Sequence, residues 1–239
     1  MRQTVIVCGC PRSGTTALAM LLNHHPEACI GIERFSHLLL SGSPPGDLFT
    51  PARFADVRFG DTFHEGFRAE ERALGLPGKA ATARLIGDKV PKAYRHYGAI
   101  AEAFPGIRFL FIVRRPDAVA ASYKRRATDP ADRDWREGSV EDAISDWNEA
   151  VGATLYWRRR VPILPVSFEA LFDRGEGLDG LAAFLGLDPA PLRTPLRHCI
   201  ARGRQLAADR APVLTTAERA AVMMDTAIDQ FDMLVRQAA

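Results

Sequence analysis

The residues GCPRSGTT, Gly9 to Thr16, stand between a short β-branched run, Thr4 to Cys8 (TVIVC), and a stretch ALAMLLNHH whose apolar residues recur at helical spacing. A run of the first kind suits a central strand of a parallel sheet, buried on both faces. Strand, tight glycine loop and helix in immediate succession point to the α/β class. The spacing GxxxxG followed by two hydroxyl residues is that of a phosphate loop. Gly9 and Gly14 permit backbone conformations that turn several N–H groups inward, and the helix N-terminus adds the positive end of its dipole. Thr15 and Thr16 add hydroxyl donors. A strand-to-helix turn with glycines needs no ligand by itself, but the PRSGTT core in this setting points to an anion. The nucleotidase loop has Lys where Thr15 stands. Here the strong cation is Arg12, inside the loop.

The rest of the chain reads as further strands and helices in alternation. Strands are expected at Ala28 to Ile32, Ala83 to Gly87, Arg108 to Val113 (RFLFIV) and Val161 to Phe168. Helices are expected at Arg34 to Leu40, Phe63 to Leu74, Lys92 to Phe104, Asp117 to Arg126 and Val140 to Arg159, with a helical remainder. Gly75 and Pro77 stop the second of these. Pro116 falls in the first turn of the fourth, where a missing N–H costs nothing. SGSPPG, from Ser41, opens a less regular insertion within 41–76. The expected architecture is a P-loop-like parallel sheet flanked by helices, joined by right-handed crossovers, in a single domain over 1–239.

Composition removes several function classes. Thirty-one basic against 29 acidic residues give a net charge of +2, so no polycationic surface for nucleic acid is indicated. With 47% apolar and 25% charged residues the chain is no disordered segment. No apolar run reaches the eighteen or so residues of a membrane span, and a cytoplasmic protein is expected. Cys8, Cys10, Cys29 and Cys199 contain no CxxC pair and read as buried free thiols. No HExxH occurs and no metal site is expected.

A kinase or GTPase needs a carboxylate to hold magnesium, generally at the end of a second apolar strand. RFLFIV ends instead in Arg114-Arg115-Pro116. A cation there repels a metal and attracts a second anion. Ser122 follows eight residues after Arg114, about 9 Å along a helix that begins near Pro116, and Arg126 is one turn further on the same face. Each has a bland reading as a solvated surface residue. Together they describe a clasp for one phosphate, and the ligand should carry negative charge at two separated places.

With both motifs read, the chain resembles the sulfotransferases that use 3′-phosphoadenosine 5′-phosphosulfate (PAPS). PRSGTT with its helix and HHPE is similar to that family's 5′-phosphosulfate loop. VRRPDAVAASYKRR is similar to its 3′-phosphate motif, and Trp147-Asn148 fits its pattern as well. The resemblance covers roughly residues 4 to 185. It implies that Arg12, Ser13, Gly14, Thr15 and Thr16 bind the 5′ end of the nucleotide and that Arg114, Ser122 and Arg126 bind the 3′-phosphate. The product is then adenosine 3′,5′-bisphosphate (PAP), with no metal. The cytosolic aryl and steroid enzymes carry a His in a KxHLP-like segment, and Gly87-Asp88-Lys89-Val90-Pro91 has Lys89 in its stead. The tyrosylprotein and heparan sulfate enzymes use a Glu after HP and Gly-x-Glu, and carry a Lys before x-Pro. His25-Pro26, Gly31-Ile32-Glu33 and Lys89 match that branch. The resemblance thus implies Glu33 as base, with Lys89 and Arg12 as the catalytic cations.

His37 is a second candidate base, and an ion pair with Arg34 or another surface Arg is the structural reading of Glu33. The sequence departs from the family at Phe35, where the tyrosylprotein type has Arg, and at Phe168, where Tyr is common. Arg202-Gly203-Arg204 is a candidate basic loop over the 3′-phosphate. Phe49, Phe54, Phe59, Phe63 and Phe67 of the insertion are candidates for an acceptor pocket, although aromatics at such spacing also build core. The acceptor stays open among small-molecule, carbohydrate and peptide hydroxyls. Two other readings stay in view: a magnesium nucleotide kinase with a degenerate loop, and a non-catalytic nucleotide-binding module.

Overall fold

The computed structural model describes residues 2–61, 69, 71–129, 138–208 and 213–236. In chain order, β1 (Gln3–Cys8) runs through the glycine loop into α1 (Thr15–Asn23), and β2 (Ala28–Ile32) leads to the short α2 (Ser36–Leu39). The insertion contributes α3 (Pro51–Ala55) and α4 (Leu76–Thr82) before β3 (Leu85–Lys89). A 3-10 turn over Pro91–His96 precedes α5 (Tyr97–Ala103), β4 (Arg108–Val113), α6 (Pro116–Ala127) and α7 (Val140–Trp157). After β5 (Ile163–Ser167) comes a π-helical turn, Glu169–Arg174, and then α8 (Leu178–Leu185), α9 (Ala190–Ala208), α10 (Thr216–Asp225) and α11 (Ile228–Val235).

The five strands form one sheet in the order β2-β3-β1-β4-β5, every pair parallel. The fold class is the one expected. Side-chain alternation divides the core in two. Val5 and Val7 of β1 join Leu18 and Leu22 of α1 and Leu181 and Leu185 of α8 on one face. Ile6 and Cys8 join Tyr97, Trp147 and Phe111 on the other. Both faces of β1 are therefore dry from Val5 to Cys8, which explains why that stretch carries no charged or hydroxyl residue.

Several elements differ from the reading by pattern. β3 lies two residues later than Ala83 to Gly87, because Ala83 already ends α4 and the ladder pairs Gln3 with Leu85 and Val7 with Lys89. Asp88 and Lys89 are thus strand residues and fully buried, not loop. The expected helix Lys92 to Phe104 divides into the 3-10 turn and α5. Arg202, Gly203 and Arg204 form no loop but sit within α9, exposed, with Arg204 donating to the Asp173 carbonyl. Phe49 and Phe54 are core residues that meet Phe35 edge-on at 5.9 and 5.8 Å, whereas Phe59 is fully exposed. Phe63, Phe67 and most of the expected helix Phe63 to Leu74 lie outside the described residues.

Candidate active site

The site gathers where β1, β3 and β4 end at the centre of the sheet, the edge at which open parallel sheets bind ligands. The loop after β1 is shaped by two glycines. A Cβ on Gly9 would stand 2.3 Å from the Ile112 carbonyl oxygen of β4, so the loop hugs the neighbouring strand only with glycine there. Gly14, at φ 101°, caps α1, and a Cβ on it would meet the Phe168 ring at 2.5 Å. Between them Arg12 takes φ 70°. It and Glu33, at φ 54°, are the non-glycine residues of the described chain in the left-handed region. That conformation costs an L-residue about 1–2 kcal/mol and persists only where surrounding contacts impose it.

Arg12 is held by a residue of the second motif: its Nε donates to Ser122 Oγ at 3.1 Å, across 110 positions of sequence. The two motifs therefore face one cavity of about 280 Å³, lined by Arg12, Gly14, Thr15, Thr16, Arg114, Ser122, Arg125 and Arg126. Since liquid water occupies about 30 Å³ per molecule, this is room for a polyanion and not for one ordered water. Among the described residues its walls carry four guanidinium groups and no carboxylate. Ser13 does not line it; that side chain is buried, and its N–H donates to the Cys10 carbonyl. Arg125 lines it although the motif reading passed it over. Its signal was its place three residues after Ser122 on one helical face.

Arg114 is fixed from three directions. Trp147 Nε1 donates to its carbonyl at 2.9 Å, its guanidinium lies 4.1 Å from the centre of the Phe168 ring, and Glu169 Oε1 accepts the next N–H, of Arg115, at 3.0 Å. Phe168 thus contributes a ring face to the cation instead of a hydroxyl. Arg115 turns outward to Asp117. Asn148 lies away from the cavity and joins α10 to α11, donating to the Asp225 carbonyl and accepting from Ala227 N–H.

Beside the loop, Val90 N–H donates to the Val7 carbonyl and Gly9 N–H to the Pro91 carbonyl, so the end of β3 abuts the start of the loop. Here Lys89 Nζ donates to Glu33 Oε1 at 2.5 Å, with the lysine side chain 1% and the glutamate 17% exposed. Glu33 does not pair with Arg34, which is fully buried and bound to Glu71 at 2.6 Å. His37 is exposed on α2. The three buried cysteines are distant in character from any nucleophile: burial pushes the Cys8 and Cys29 thiols up to about 12 and Cys10 higher still. All four are free.

The P-loop-like α/β sheet brings its central strand ends to a cleft lined by four arginines, Arg12, Arg114, Arg125 and Arg126. The chain belongs to the sulfotransferase family, whose model matches residues 4–191. It is similar in structure to the sulfotransferase from Alicyclobacillus acidocaldarius, at 15% identity over 100% of this chain and 98% of that one, TM-score 0.60. It is similar also to the sulfotransferase domain from the curacin biosynthetic pathway (16% identity, 79% and 75% of the two chains, TM-score 0.51). A third similar structure is mouse sulfotransferase SULT7A1 complexed with PAP (16% identity, 98% and 81%, TM-score 0.50). Comparison with curated protein sequences gives no match. Among the described residues, no helix is long and apolar enough to cross a membrane.

Proposed function

We propose that the protein transfers a sulfuryl group from PAPS to an acceptor hydroxyl, with Glu33 as base. The observation that carries the reading is the bond from Arg12 to Ser122, which joins the glycine loop and the α6 motif on a single cavity. A nucleotide with phosphate at both its 5′ and 3′ positions matches cations on both walls. Arg12, Thr15, Thr16 and the loop N–H groups are assigned to the 5′ end. Arg114, Ser122 and Arg126 are assigned to the 3′-phosphate. Ser13, whose N–H closes the loop on the Cys10 carbonyl, is assigned to loop shape. Four free thiols fit a cytoplasmic setting.

In the transfer, the acceptor oxygen bonds to sulfur while Glu33 takes its proton. The bond from sulfur to the bridging oxygen breaks, and PAP leaves with that electron pair. Lys89 and Arg12 meet the negative charge that grows on the bridging and 5′-phosphate oxygens, so they act on the transition state more than on the bound donor. The hydrogen bond from Lys89 also orients the Glu33 carboxylate.

The kinase reading gains nothing from the sheet order. β3 flanks β1 as β4 does, and its end carries the carboxylate Asp88, but both oxygens of that buried group accept backbone N–H groups of Arg34 and Phe35. Calorimetry with PAP and with Mg·ATP, each with and without EDTA, tests the choice. PAP is expected to bind regardless of chelator; binding of ATP alone, abolished by EDTA, would overturn it. Glu33→Gln is expected to keep its affinity for PAP and lose sulfuryl transfer, which also separates an enzyme from a binding module.

A further inference from the structure

The turn that carries Glu33 is fastened to the end of β3 by two consecutive residues. The Lys89 carbonyl accepts Glu33 N–H at 2.9 Å, and Lys89 Nζ holds Glu33 Oε1. Asp88, one residue earlier, is completely buried. Its Oδ1 accepts Arg34 N–H at 3.1 Å and its Oδ2 accepts Phe35 N–H at 2.7 Å. These are the N–H groups immediately after the left-handed residue, with no helical carbonyl to serve them. The glycine of Gly-x-Glu belongs to the same device. A Cβ on Gly31 would stand 2.9 Å from Asp88 Oδ1 and 3.2 Å from Glu71 Oε1, so only glycine lets the carboxylate come this close to the turn.

We propose that Asp88 is a positioning residue for the base: its carboxylate, gripping two successive N–H groups, imposes the left-handed backbone that sets the Glu33 side chain against Lys89. Two features argue that this is more than packing. A buried carboxylate without an ion-pair contact among the described residues is an expensive way to fill space, and burial pushes Asp88 up to about 7, the two N–H bonds only partly offsetting it. The strain it sustains falls on Glu33, not on a residue remote from the site. The inference rests on Glu33 being the base.

Asp88→Asn preserves shape but sets an NH₂ against one of the two N–H groups. The assay uses PAPS and whichever of a phenol, a sugar and an aliphatic alcohol the wild type sulfates fastest. Asp88→Asn is expected to lower kcat about 10- to 100-fold, with KM for PAPS and the Kd for PAP changed less than twofold. Added to Glu33→Gln it should lower the rate less than twofold further, because positioning an absent base has no value. A role in stability alone would leave the two losses multiplicative, and that result, or a kcat within twofold of wild type, overturns the proposal. Should Asp88→Asn fail to bind PAP or to fold, Gly31→Ala presses a methyl on the same oxygen; it is expected to show the same kcat loss at unchanged PAP affinity, and unaltered kcat sinks the idea. Glu33→Gln at full rate would instead overturn the base assignment.

Discussion

Arg125 sits where two separate forces want a cation. It is one of three basic residues in the last turn of α6, facing the negative end of the helix dipole. It also lines the cavity beside Ser122 and Arg126. A dipole role needs no ligand, whereas a contact with the 3′-phosphate is a charge-assisted hydrogen bond of about 1.5–3 kcal/mol, or tenfold and upward in affinity. Arg125→Gln is therefore expected to weaken PAP at least tenfold in calorimetry while leaving adenosine 5′-monophosphate within twofold. Equal weakening of both would reduce Arg125 to a contributor to the general field. Arg34 is the opposite case, a cation withdrawn from the site. Its Nη1 binds Glu71, and its guanidinium lies 5.4 and 4.8 Å from the ring centres of Phe35 and Phe54. Glu71→Ala would leave that charge buried without its bonded carboxylate and the Ile32 N–H without its acceptor, at a cost of about 3–5 kcal/mol by urea unfolding. Arg34→Met with Glu71→Leu should recover the part due to the buried charge but not the part due to the Ile32 N–H, which stays without its acceptor. A double variant as unstable as Glu71→Ala would show that the pair is worth more than its desolvation.

At the scale of elements, the loop after β1 and the turn after β5 are one construction. Phe168 packs where a Gly14 side chain would be and carries the Arg114 guanidinium on its ring. Gly14→Ala meets two obstacles: the left-handed φ, about 1–2 kcal/mol, and the ring at 2.5 Å. Its PAP affinity should fall at least tenfold, and Phe168→Ala in the same chain should restore part of that loss by opening space. No recovery would mean that φ alone governs the loop. This construction was half legible in the sequence. TVIVC and RFLFIV declared their strands because both faces of each are dry, and GxxxxG, Arg114 and Ser122 are the residues that the fold brings to one cavity. The shared wall was hidden, because it depends on Phe168 crossing from β5 to Gly14, a contact that no local pattern records. β3 was misread by two residues for a related reason: LIGDK ends in two charged residues whose partners, Glu33 to Phe35, lie more than fifty positions away. Polar residues inside a strand look like loop until their partners are known.

For the molecule as a whole, the buried carboxylate of Asp88 makes stability depend on pH in a direction contrary to Glu218 and Asp142. Lys124 and Thr215 hold Glu218 down to about 2, and Asp142 is lowered by Ser139. Such groups stabilise the fold above their unfolded values, and that contribution is lost as pH falls through the folded ones. Asp88 is raised to about 7 by burial, with Glu71 adding to the rise and Lys89 opposing it. Arg34 and Glu71, the other charged groups against it, are bound to one another. Glu71 is itself raised by burial. Between the unfolded value of about 4 and the folded value of about 7 the native state binds the extra proton, so stability falls as pH rises through that window and levels above it. The size is on the order of a few kcal/mol. Urea unfolding should accordingly give a more stable protein at pH 5.5 than at pH 7.5, and Asp88→Asn should remove most of the difference. If the wild type is equally stable at both values, the carboxylate is not the strained group described here. If the slope survives in Asp88→Asn, it belongs to Glu71. A fold with a partly ionised acid at its centre near neutral pH gives up stability there, and the residue beside that acid, Lys89, is the one whose Nζ donates to the Glu33 carboxylate.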